Sequence, residues 1–405
     1  MPTAILLAVV FLACTPQFAL SEELDELKAQ VQELRQEIKI LQNQDTGQTL
    51  TPQKKRTPTE QHLEHDLDGG LDAIDLPKLH IRGFMDAGFV VNKSGKQKTD
   101  SFALGQLDLL ITSKLSEHAS VLVETYFNNP PDNTSPLLLP RALLQYSISN
   151  QFNLRVGQMH TMVGYWNHAY HHGSFLQTTY SRPEIWRFDR AYLPIHSVGV
   201  QVFGVKEFQQ VDVQYTLGIY NGRGPTAPAV QRVTDANDPK AVGLVVSLIP
   251  YGFIEGLTVG GSFYGDKVPP NPTAIPPAVV RTKPMVERIL GGHAVYRLHQ
   301  FQMVGEVFHI YHDDDTTQMT YKTSGYYVVG EYVINSLTPY SRFDYINFGN
   351  ADPLYSPNII DLRKYTVGTR WDFLPWNALK IEYSYADNKN TLDNQLFVVN
   401  VSFTF

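Results

Sequence analysis

Three histidines, His168, His171 and His172, stand at i, i+3 and i+4 in the stretch Gly164-Tyr165-Trp166-Asn167-His168-Ala169-Tyr170-His171-His172-Gly173. On one helical turn that spacing points two or three imidazoles the same way, and neutral imidazole is a good ligand for zinc or copper. The same residues, with Tyr165, Trp166 and Tyr170, serve equally to pack a loop against a wall by hydrogen bonds and ring stacking. A third use is to line a pore without metal, where the imidazoles would gain charge near pH ~6.5. Ser174 follows the cluster, so hydrolysis by a serine or a metal-bound water is a further chemistry for it. That signal is weak, because no carboxylate orienter and no oxyanion donor can be placed from spacing. Just beyond, Arg182, Glu184, Arg187, Asp189 and Arg190 set three cations against two anions.

The elements that must position these groups are legible in the rest of the chain. Its 405 residues are 43% hydrophobic, with a mean hydropathy of -0.21. Past residue 20 no apolar run is long enough for a membrane helix, so a membrane-spanning form must be a closed sheet. Residues 22–77 hold thirteen Asp/Glu and six Lys/Arg of the chain's 40 and 33, which leaves 27 of each sign beyond Pro77. The net charge of -7 therefore sits in the N-terminal arm. No basic surface for nucleic acid results. The one cysteine, Cys14, lies in an apolar leader, so no disulfide and no cysteine metal site is expected.

Residues 4–14 form the apolar core of a signal peptide (1–21), with Ala19-Leu20-Ser21 as its small-x-small cleavage site. Leu24, Leu27, Val31, Leu34, Ile38 and Leu41 then repeat at 3 and 4, the a/d seam of a short α-helical coiled coil over 22–43. The narrow stripe suits a partner helix better than a globular core, and places a periplasmic oligomerisation element there. β-Branched a positions over Leu d lean towards two strands. Residues 44–77, polar and containing Thr51-Pro52 and Thr57-Pro58, read as a flexible linker.

From Leu79 onward the period becomes two. Sixteen strand-like segments run from 79–91 to 395–405, so 78–405 is expected to be a 16-stranded antiparallel transmembrane β-barrel, in an all-β membrane protein. Val211, Val213, Tyr215, Leu217 and Ile219 oppose Asp212, Gln214 and Thr216, whereas 286–297 and 300–312 are ambiguous in facing. Connections after odd segments are long (92–102, 128–138, 161–195, 221–240), and those after even segments short. Short turns on one side and long loops on the other are what an outer-membrane barrel requires. In the last segment Phe397, Val399, Val401, Phe403 and Phe405 share the outward face, opposite Val398, Asn400, Ser402 and Thr404. Sixteen strands enclose more space than side chains fill, so a water channel is expected.

The closing Phe403-Thr404-Phe405 resembles the C-terminal signature by which bacterial outer-membrane barrels are recognised for insertion. The order of coiled coil, linker and barrel is similar to DcaP-like porins and, distantly, to the phosphate-selective porins, and the Tyr165-to-Gly173 text resembles a group of porin-like outer-membrane proteins. The resemblance implies an outer-membrane location in a Gram-negative bacterium and a homotrimer joined through barrel wall and coiled coil. It also implies that the third long loop (160–196) folds into the lumen as the constriction. No phosphate-binding Arg ladder matches, so phosphate selectivity is not carried over. The expectation is a porin passing small hydrophilic solutes, with no cofactor. Its constriction would comprise His168, His171, His172, Arg182, Glu184, Arg187, Asp189 and Arg190. Facing them on the wall would be Arg141, Arg155 and Arg370. The slight basic excess points to weak anion preference. The alternative is a barrel enzyme or metal-binding receptor using His168, His171 and His172.

Overall fold

The computed structural model describes residues 78–127, 136–170, 173–230, 234–252, 254–275, 278–356, 359–389 and 391–405. The expected signal peptide, coiled coil and linker lie outside them. Sixteen strands follow in chain order: β1 Leu79–Ser94, β2 Gln97–Lys114, β3 Ala119–Phe127, β4 Leu137–Ser147, β5 Asn153–His160, β6 His196–Glu207, β7 Val211–Tyr220 and β8 Ala241–Pro250. Then come β9 Leu257–Val268, β10 Met285–Leu298, β11 Phe301–Asp314, β12 Met319–Tyr332, β13 Leu337–Phe348, β14 Leu362–Leu374, β15 Asn377–Asn388 and β16 Asn394–Thr404. Each strand pairs antiparallel with its sequence neighbours and β1 closes on β16, so every ladder hydrogen bond is made inside the sheet. Gly83 and Phe405 exchange two backbone hydrogen bonds at the seam, of 2.7 and 3.0 Å.

The alternation sorts as expected. In β16 Val398, Asn400 and Ser402 are buried on the lumen side, while Phe397 and Val401 are exposed. In β14 Lys364 and Thr366 turn inward, and Tyr365, Val367 and Trp371 outward. A belt of exposed apolar side chains suits contact with lipid.

Two expectations change. The first connection is not a loop over 92–102. β1 and β2 run on as a hairpin to Ser94 and Gln97, with Lys93 opposite Lys98. Gly95 turns the chain at a φ of 58°, which a side chain would resist. The protruding ladder is polar, so it carries no apolar alternation by which to recognise it. The second change concerns β10 and β11, whose facing the sequence left open. Ile289, Val295, Val304, Phe308 and Ile310 point into the barrel and are buried there, while Leu290, Met303 and Val307 point outward and are exposed. Both faces are apolar because the inner one also has a dry partner. The loop between β5 and β6 supplies Met162, Val163, Trp166, Ile185, Trp186 and Leu193 to the same core. Part of the lumen is thus a protein interior, held by the burial that holds a soluble core.

Candidate functional site in the barrel lumen

The chain leaves β5 at His160 and returns to β6 at His196, and between them it folds inward. Its regular structure is slight: α1 (Trp166–Ala169), α2 (Gly173–Leu176) and a 3-10 turn over Glu184–Trp186. Such short pieces do not hold themselves in place, so the wall must do it. Gly164 starts the fold-back at a φ of 62°, where a Cβ would lie 2.7 Å from the Phe308 and Trp186 rings. Gly173 (φ 53°) brings the tip against β1, a Cβ there falling 2.6 Å from Phe84 Cβ.

Inward-facing charges take hold of this loop. Glu306, buried at mid-β11, accepts the backbone N–H groups of Tyr165 and Trp166 (the latter at 3.1 Å). It also accepts Trp186 Nε1 at 2.9 Å and the Tyr327 hydroxyl at 2.7 Å. Glu382 accepts the Tyr180 N–H at 2.8 Å and the Ser181 N–H and hydroxyl. Asp344 accepts the Glu184 N–H at 2.9 Å. Arg342 donates to the Thr179 hydroxyl (3.2 Å) and to the carbonyls of Ser181 (2.6 Å) and Arg182 (3.1 Å). Lys380 donates to the Ser174 and Thr179 carbonyls. Farther along, Arg223 reaches the carbonyls of Ala191 (3.2 Å) and Tyr192 (3.1 Å) while paired with Glu287, which His312 joins to Asp352. All four of those side chains are at most 1% exposed.

These contacts correct part of the expected constriction. Arg370 faces the lumen, yet its Nη1 donates to the Phe175 and Gln177 carbonyls and its Nε to Asp372 at 2.9 Å, so it anchors the loop. Glu184 is turned to the wall, 2.8 Å from Lys364 Nζ and 3.3 Å from Arg187. Burial alone would raise its carboxyl, but Lys364 and Arg187 hold it down to about 2. Arg187 also pairs with Asp189 at 2.6 Å, and Arg190 comes within 4.0 Å of the same carboxylate. Of the three histidines only His168 is placed. α1 ends at Ala169, and His171 and His172 lie outside the described residues. The His168 ring sits 5.6 Å from that of His160, which is 5.2 Å from His196. Among the described residues no three His, Cys, Asp or Glu are grouped to hold a metal. Ser174 Oγ is buried without a hydrogen-bond partner among them.

What the loop leaves open includes two cavities that meet β2 and β3. On one side of it is a cavity of about 700 Å³ touching Gly105 and Gln106 of β2, Tyr126 of β3, and Arg182, Arg187 and Asp189 of the loop. On the other is a cavity of about 660 Å³ touching Thr112–Lys114, Ala119–Leu122, Arg141, Arg155, His160 and His168. Between them on the same two strands stand Asp108 and Glu124, the latter joined to Arg141 at 2.8 Å. Arg182 faces them from the loop, donating to Gln106 at 3.3 Å and stacked 3.6 Å over the Phe188 ring. Burial brings its guanidinium down to about 10, against the opposing pull of Asp108, Tyr126, Glu124 and Asp86. The neck between the two cavities is thus bordered by Asp108, Glu124 and Arg141 on the wall and by Arg182 on the loop. Sequence spacing missed Glu306 as an anchor. A lone acid inside the apolar run Met303-Val304-Gly305-Glu306-Val307-Phe308 was the available signal.

No family model matches the chain, and no curated protein matches it in sequence. Solved structures match it in shape. An anion-selective porin from Comamonas acidovorans is 12% identical with a TM-score of 0.60, over 82% of this chain and 100% of that one. OmpF of Salmonella typhi is 13% identical with a TM-score of 0.56, over 81% and 98%. The outer membrane channel DcaP of Acinetobacter baumannii is 12% identical with a TM-score of 0.53, over 81% and 97%. The likeness is one of architecture: this chain has the closed, sixteen-stranded fold of the outer-membrane porins.

Proposed function

We propose that the protein is a passive diffusion channel of the Gram-negative outer membrane, passing small hydrophilic solutes with a weak preference for anions. The observation that carries this reading is the pair of cavities, about 660 and 700 Å³, meeting β2 and β3 on either side of Asp108 and Glu124. A dry or filled lumen would conduct nothing, whereas water-sized space on both sides of a charged neck suits filtered diffusion. No chemistry is required of the protein: solute size and the sign of the lining charge decide passage. The neck residues of this reading are Arg182, Arg141, Asp108 and Glu124, with Arg187, Asp189, Arg190, Arg155 and His168 beside them.

The belt of outward apolar residues is the lipid contact. In this reading the signal peptide (1–21) directs export, the coiled coil (22–43) fixes a homotrimer in the periplasm, and 44–77 link it to the barrel. Phe403 and Phe405 serve as the insertion signal. Reconstitution in a planar bilayer tests the central claim. Stepwise current with a reversal potential on the anion side across a salt gradient is expected. A folded barrel that gives no steps rejects the channel.

A further inference from the structure

We infer that Arg155 is the heart of an oxyanion-binding subsite in the cavity below the neck, taking small anions that present two oxygens side by side, as carboxylates and phosphates do. The inference rests on the channel reading for its role in transport, but the site is a binding claim of its own.

Most inward-facing guanidinium and ammonium groups in this barrel are engaged. Arg342, Arg370 and Lys380 are bonded to the third loop, Lys364 to Glu184, Arg223 to Glu287, and Arg141 to Glu124. Arg155 differs. Its Nε donates to Gln145 Oε1 at 2.9 Å, and its guanidinium lies 3.9 Å over the Phe203 ring. These two contacts fix the plane of the group. No described carboxylate pairs with Arg155, and its two terminal amino groups make no hydrogen bond to described residues. A guanidinium held by Nε and one face keeps its remaining N–H donors in a rigid fork, the geometry that matches two oxygens at once.

The surroundings favour an anion as well. Arg155 lines the cavity of about 660 Å³ with Arg141 and Lys114, and the only carboxylate among the described lining residues is Glu117, at the turn after β2. Gln145 and the imidazoles of His160 and His168 line the same space. A half-buried cation without a counter-charge leaves an attraction for a solute to satisfy, and a flat, low-dielectric wall strengthens it. Chloride can take one lobe of the fork; an oxyanion takes both. A second cavity, of about 380 Å³, shares Arg155 and His168, so a bound anion can be approached from two sides.

Two measurements test this on the full mature chain. Equilibrium dialysis of labelled inorganic phosphate against folded, detergent-solubilised protein reads the site without any current. Binding that weakens about tenfold or more in both Arg155→Gln and Arg155→Lys is expected, since lysine keeps the charge but lacks the fork. Lys98→Gln, on the exposed hairpin, should bind as the parent does. Equal binding by parent and Arg155→Lys overturns the subsite, as does the absence of saturable binding. If Arg155→Gln fails to give a heat-modifiable, folded barrel, Arg155→Lys alone decides. In the bilayer, millimolar phosphate should lower the chloride current of the parent and leave that of Arg155→Lys unchanged. A parent that conducts chloride but ignores phosphate overturns the subsite and spares the channel. A parent that binds phosphate without conducting overturns the channel and spares the subsite.

Discussion

Two stretches of the inner wall carry the same residue types with opposite fates. On β13–β15, Arg342, Lys364, Arg370 and Lys380 point into the lumen, and every one of them ends on a loop carbonyl, hydroxyl or carboxylate. On β5, Arg155 points into the same lumen and, among the described residues, meets only an amide oxygen and a ring. Inward parity is common to both. The difference is whether the chain between β5 and β6 lies over them. A charge inside a barrel is thus a rivet or a filter according to what a distant loop covers, and one strand's own sequence cannot say which.

The comparison can be broken most forcefully at Glu306. Glu306→Ala would strand four donors, each charge-assisted bond contributing about 1.5–3 kcal/mol, and should undock the loop. A rise in single-channel conductance with new protease cleavage between Tyr165 and Arg190 is expected; unchanged conductance would mean the apolar core holds the loop unaided. Next in size, Arg342→Gln removes bonds to Ser181 and Arg182 and should raise conductance with little shift in reversal potential. Arg155→Gln should do the converse, moving the reversal potential towards cations at nearly constant conductance. If both variants move the same quantity, rivets and filter are not distinct.

Acid gives a smaller effect, with a definite sign. Because Lys364 and Arg187 overcome burial and hold Glu184 down to about 2, its ion pairs stabilise docking above the ordinary glutamate range near ~4.3 and are lost only as pH falls through the depressed value. Conductance should therefore be flat from about pH 7 to about pH 4 with respect to this group. Glu184→Gln, lacking the pairs throughout, should show the acid-state conductance already at neutral pH.

How much was legible follows from the same contrast. Strand number and the facing of β7, β14 and β16 are properties of neighbouring residues, and alternation reports them directly; the sorting of connections holds less fully, since β1–β2 and β11–β12 are joined by short turns at 95–96 and 315–318. The β1–β2 hairpin was hidden because its extension is polar on both faces. The facing of β10 and β11 was hidden because Ile289, Val304 and Phe308 meet protein where most lumen residues meet water. The roles of Arg370 and Glu184 were hidden because their partners lie 195 and 180 residues away.

Trp166 and Trp186 are 4% and 2% exposed, packed inside the barrel against Tyr327 and Phe308. Swinging their segment aside would wet about 400 Å² of indole, roughly 10 kcal/mol at about 25 cal/mol per Å². An electric field supplies about 2.3 kcal/mol per elementary charge for every ~100 mV, so at that voltage more than four charges would have to cross the full bilayer to drive the swing. The constriction behaves as masonry and not as a door, and any voltage sensitivity has to come from side chains at its edge.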